Sequence, residues 1–110
     1  MHGKQGNLTA ALDYYERALK IQQRDAKDSL TVASTLVCIG NVHRKQGNLT
    51  AALDYYERAL KIEQRDAKDS LTVAHTLGNV GSVHYNQGNL TAALAYFESA
   101  LKIVEAEPGP

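Results

Sequence analysis

The side chains able to do chemistry in this chain are few, and their spacing is regular. Histidine stands at 2, 43 and 84, each 41 residues from the next, with a fourth at 75. A metal site needs ligands that converge on one point, with carboxylate or further imidazole beside them. Equivalent positions in stacked helical units instead lie about 8–10 Å apart, too far to share one ion. His2, His43 and His84 are therefore expected to pack between helices, and neither a metal nor another cofactor is expected. Cys38 is the single cysteine. That excludes an internal disulfide and a cysteine-based zinc cluster. No His/Asn or Asp arrangement accompanies it, so it reads as a small surface residue rather than a nucleophile. The tripeptide Asn-Leu-Thr at 7–9, 48–50 and 89–91 matches an N-glycosylation acceptor, but an Asn at a helix start is expected to cap. There is no nucleophile–base pair, no Gly-rich phosphate loop and no carboxylate cluster in an apolar setting. The chain reads as non-enzymatic.

Charge narrows the partners. Among 110 residues, 12 basic side chains balance 12 acidic ones. A nucleic-acid or acidic-membrane binder would carry a basic excess, and an RNA-reading helical repeat would need a basic groove rather than Arg44 and Lys45 alone. The longest apolar runs are a few residues, far short of a membrane span, and "MHGKQG" holds no apolar signal core. The expected setting is cytoplasmic and reducing.

The elements that position these residues are set by repetition. "QGNLTAALDYYERALKI" occupies 5–21, recurs unchanged at 46–62, and recurs with three substitutions at 87–103. Self-similarity at such a period marks a repeat architecture, in which each unit buries its apolar face on its neighbours. Leu8, Ala11, Leu12, Tyr15, Ala18 and Leu19 recur at helical spacing, predicting a helix from Leu8 to Arg24 with Asn7 or Thr9 as its cap. Asp28 or Ser29 is expected to start a second helix reaching about Gln46, with Leu30, Val32, Ala33, Leu36, Ile39, Gly40 and Val42 inside. Gly47 then supplies the left-handed residue that stops it. The pattern repeats as helices from about Thr50 to Gln64, from about Asp69 to Gln87 with Gly88 as stop, and from about Thr91 to Glu105. Five helices and no strands follow. One domain is expected over 1–107: a partial repeat lacking its first helix (1–27), two repeats (28–68 and 69–107) and a tail (108–110). No Gly or Pro lies between Asn48 and Leu77, so the 65–70 turn rests on Asp and Ser caps alone. It is expected to be able to open into one continuous helix, which would allow domain swapping.

Gly40 with Gly47, Gly81 with Gly88, and the small–aromatic–small series Ala11/Tyr15/Ala18, Ala52/Tyr56/Ala59 and Ala93/Phe97/Ala100 together resemble the tetratricopeptide repeat. Leu36 and Leu77 replace its usual Trp, His43 and His84 its usual Tyr, and its repeat-end Pro is absent. "DSLTVASTL" and "DSLTVAHTL", with the longer unit, look like the repeats of kinesin light chains. The resemblance implies an all-α solenoid of antiparallel helix pairs whose first helices line a concave groove used to bind proteins or peptides.

Residues 22–45 and 63–86 differ at eight places. Six fall at offsets 0, 3, 4, 7, 10 and 11 from Ser34 or His75, which form one stripe on a helix. The candidate partner-binding residues are therefore Ser34, Val37, Cys38, Asn41, Arg44 and Lys45, with His75, Asn79, Ser82, Tyr85 and Asn86. Arg44 can fork onto a carboxylate and Tyr85 can anchor an apolar side chain. Some family members clamp a C-terminal carboxylate; Asn41 and Asn79 fall on two places of that clamp, but Val37 stands where it has Lys. A second expectation is self-association, since neither end of the array carries a polar capping unit. Near-identical copies also suit a designed or recently duplicated array.

Overall fold

A computed structural model describes residues 4–25 and 29–106. Five helices run through them: α1 (Lys4–Asp25), α2 (Leu30–Lys45), α3 (Leu49–Asp66), α4 (Leu71–Asn86) and α5 (Leu90–Ala106), with no strand. The most extensive packing joins α2 to α3 and α4 to α5; α1 lies on α2, and α3 on α4. This is an all-α solenoid of helix pairs.

Small residues let each pair close. Ala52 and Ala59 of α3 are fully buried, as is the Tyr56 ring between them. A Cβ on Gly40 would stand 2.7 Å from Tyr56 Cε1, and one on Gly81 would stand 2.9 Å from Phe97 Cε1. Those contacts are too short for any side chain, so the two glycines set the approach of the pairs. Leu19, Val32, Ala33, Leu36, Ile39, Ala59 and Ile62 join α1, α2 and α3 in one core. A second core of Ala52, Tyr56, Val80 and Val83 joins α3 to α4, and Val37 packs against both.

Local signals place most boundaries. Ser29 and Ser70 accept from the Val32 and Val73 amides at 3.3 Å, satisfying N–H groups that the first turn leaves free. Asp28 lies outside the described residues. Gly47 and Gly88 both sit at φ +83°, closing α2 and α4 in the left-handed region where glycine costs least. Asn48 holds the N-cap position of α3, but its side chain makes no capping bond. The turn is instead closed by the backbone, with the Asn48 amide on the His43 carbonyl at 2.8 Å.

Three boundary expectations are corrected. Helix α1 already runs from Lys4 rather than Leu8, so Asn7 and Thr9 lie inside it rather than at its start. The Gly-Asn turn depends on acceptors in a preceding helical turn: Gly47 donates to Arg44 and Asn48 to His43. The residue matching His43 is His2, outside the described residues. Leu30, expected inside, is 44% exposed. Asp69, expected to open α4, instead stands in the turn before it with φ 60°. Short polar residues tolerate that backbone better than most. At the same turn the Ala67 amide donates to the Glu63 carbonyl and the Ser70 amide to the Ala67 carbonyl. Arg65 also grips Asp66 through two bonds, Nε to Oδ1 at 2.8 Å and Nη2 to Oδ2 at 2.9 Å. The 65–70 segment is a closed turn here, held without glycine.

Candidate functional site

Helices α2 and α4 stand side by side over the C-terminal part of α3, and a groove of about 680 Å³ opens between them. Seven residues expected from the stripe line it: Ser34, Val37, Cys38, Asn41 and Arg44 from α2, His75 and Asn79 from α4. Leu30 and Leu71 add apolar surface, and Glu63, Ala67, Thr72 and Thr76 complete the lining. Ser82 belongs to a neighbouring groove of about 600 Å³ that it shares with His75, Asn79, Gly78 and the α5 residues Phe97 and Leu101.

Lys45, Tyr85 and Asn86 line neither of these grooves. They are exposed residues of the last turns of α2 and α4. Their angular position matches the stripe, but the floor is built from Glu63 and Ala67, at the far end of the antiparallel α3. In the last turn of α2, Arg44 lines the hollow and Lys45 does not, while the last turn of α4 contributes no residue to it.

Two candidate residues also serve the fold. Val37 is partly buried against both cores, so its side chain forms wall rather than free surface. The Tyr56 hydroxyl donates to Asn41 Oδ1. Burial pushes the Tyr56 phenol above its ordinary pKa, and the Arg44 guanidinium acts in the opposite direction. In the third copy both members of the pair change together. There Phe97 has no hydroxyl, and Ser82 replaces the acceptor. Part of the Asn41/Ser82 difference thus follows from the helix behind it.

Glu63 and Thr76 escaped the reading of the stripe. Glu63 is only 1% exposed and Thr76 likewise 1%. Burial raises the Glu63 pKa above the usual carboxyl value, and a bond from the Thr76 hydroxyl partly offsets this. Glu63 Oε1 has no hydrogen-bond partner. In the preceding unit Gln22 takes the same place and accepts from Thr35 at 2.7 Å. The Gln22/Glu63 difference is visible in the sequence, but it lies on the second helix of the unit, away from the stripe.

Of the periodic histidines, His43 and His84 pack between helices, and His2 lies outside the described residues. His43 stacks on Tyr55 and His84 on Tyr96, each with ring centroids 5.4 Å apart. Tyr55 also carries the Arg58 guanidinium over its ring at 5.1 Å, whereas Tyr14 is 71% exposed. Among the described residues, no group of three His, Cys, Asp or Glu side chains is placed to hold a metal ion. No helix among them is long and apolar enough to cross a membrane.

No curated protein matches the chain. The tetratricopeptide repeat family does, in two overlapping stretches at residues 1–65 and 31–106. Those stretches span the paired helices, both short-approach glycines and the groove between α2 and α4, and the chain belongs to the tetratricopeptide repeat family.

Proposed function

We propose that this chain is a non-enzymatic scaffold that holds a peptide or a segment of a partner protein in the groove between α2 and α4. Tetratricopeptide repeats generally mediate protein–protein interaction. The observation that carries the reading is where two near-identical copies part company. Of their eight differences, Ser34/His75 and Cys38/Asn79 put both members of the pair into one groove. A unit repeated for packing alone has no reason to vary there in concert. The lining suits a peptide: Leu30, Val37 and Leu71 offer apolar contact, and Arg44 offers a fork for a carboxylate. The test is selection of binders from a randomised peptide display library. Wild type should enrich peptides, and R44A/H75A/N79A should lose them at least tenfold with an unchanged helical circular-dichroism spectrum. Retention by the triple variant would place binding elsewhere.

A second reading, association of the chain with itself, draws on α5. Leu94 and Leu101 are 59% and 54% exposed, whereas their counterparts Leu53 and Leu60 in α3 are half-buried. A second copy that covered this row would remove that apolar surface from water. Opening of the 65–70 turn offers another route to the same end, by exchange of helices between copies.

A further inference from the structure

We infer that Glu63 makes the groove selective for a cationic group, so that the bound peptide places a lysine, an arginine or a free amino terminus over the groove floor. The inference rests on the groove being the binding site and names the chemistry of its occupant.

The argument begins with an unbalanced substitution. Gln22 and Glu63 occupy the same place in consecutive units, and each faces a threonine of the following helix. The neutral Gln22 accepts from Thr35 at 2.7 Å. Exchanging its amide for a carboxylate keeps an acceptor for Thr76 and adds a negative charge. That charge sits on a residue 1% exposed, with one oxygen lacking any hydrogen-bond partner. A buried carboxylate left half-satisfied is costly, and nothing in the packing demands one, because the glutamine unit packs in the same way. Position 104, its counterpart in the third copy, is Val and is 50% exposed. Facing a threonine, the place accepts an amide or an acid.

What singles out the acid is its location. Gln22 lines neither groove, whereas Glu63 lines the larger one together with Ser34, Cys38, His75 and Thr76. A cation arriving there would lie against a carboxylate that has one oxygen without a hydrogen-bond partner, in a setting poor in water, where a charge-assisted bond is strongest. Arg44 lies on the same groove, so a peptide carrying one acidic and one basic group would be held in a single direction.

The experiment is an array of nonapeptides with randomised flanks and a fixed centre of Lys, Arg, norleucine or Glu, probed with labelled protein. Wild type should retain Lys- and Arg-centred peptides roughly tenfold over norleucine, the ratio one charge-assisted hydrogen bond supplies. E63Q should reduce that preference to about twofold or less while still retaining norleucine-centred peptides. Equal retention of Lys and norleucine by wild type, with binding still lost in R44A/H75A/N79A, would overturn the role of Glu63 and leave the groove standing. Retention untouched by the triple variant would overturn the groove itself, and no retention by wild type would overturn both.

Thermal unfolding of the free protein supplies a second measurement. Burial raises the Glu63 pKa in the folded state, so folded protein keeps a proton that unfolded protein releases. Wild type then loses stability relative to E63Q as pH rises from the ordinary carboxyl range through the raised folded pKa, and below that range the difference between the two no longer depends on pH. E63Q should therefore melt higher at pH 7.5. A lower melting point would make Glu63 a structural residue and overturn the inference.

Discussion

Asn41 shows how one side chain can belong to the surface and to the core at once. Its amide oxygen takes the hydroxyl proton of Tyr56, a ring with no exposed surface, while the residue itself lines the groove. A net hydrogen bond of this kind contributes about 1 kcal/mol, and an abandoned buried partner costs about 1–3 kcal/mol. Y56F and N41S should each destabilise by about 1–2 kcal/mol in urea titrations. The double substitution, which recreates the Phe97/Ser82 combination of the third copy, should cost about 1 kcal/mol less than the sum of the two. Strict additivity would show that the pair is not coupled. Asn41 was legible as a variable position; its dependence on Tyr56 was not, because the two lie on different helices. The joint change to Ser82 and Phe97 was the available signal. Glu63 was hidden for a related reason, since a difference on α3 becomes a groove residue only once α2 and α4 are seen to stand over it.

At the scale of the helix pair, glycine decides how near two elements come. Gly40 and Gly81 lie under aromatic rings that leave no room for a Cβ. Gly78 is on the same α4 helix, and a Cβ there would meet nothing within 4 Å. G40A should therefore destabilise by about 1–3 kcal/mol, through forced displacement of Tyr56. G78A should stabilise by about 0.5–1 kcal/mol, the ordinary gain of Ala over Gly inside a helix. Circular-dichroism urea curves check both, and equal effects would refute the close-approach argument. Helix caps divide in the same local way: Ser29 and Ser70 bond the amides three residues on, as their sequence positions suggest. Asn48 does not, because the backbone of α2 already closes that turn.

At the scale of the molecule, the open question is what covers α5. Leu90, Leu94, Leu101 and Val104 are each 50% exposed or more, and Phe97 is 38% exposed. A contiguous apolar row of this length favours association. Size exclusion with light scattering at about 0.5 mM should give a mass above the 12.0 kDa of one chain. Substitution of Leu94 and Leu101 by Glu should return the mass to that of a monomer. A wild-type monomer at the same concentration would remove the self-association reading and leave the groove reading untouched. Lys45, Tyr85 and Asn86 teach a related lesson. Angular periodicity placed them on the stripe, but the groove takes in only part of that stripe: Arg44 lines it, and Lys45, Tyr85 and Asn86 do not.

The sequence alone determined the five helices, the pairing and the family, because these depend on local quantities: period, side-chain volume, and the stops at Gly47 and Gly88. It also put Gly40 on the inner side of its helix and matched Gly40 and Gly81 to the glycines of the family's repeat, while their close approach to Tyr56 and Phe97 came from the structure. Only the tertiary structure decided which copy differences share a groove, which of them answer to a buried neighbour, and that Glu63 lines the groove as a buried acid with one unpartnered oxygen. It likewise decided that one identical stretch, Gln-Gly-Asn, is a turn before α3 and lies within α1. The stretch carries the glycine in both places. Before α3 the turn is closed by the Gly47 and Asn48 amides on the carbonyls of Arg44 and His43.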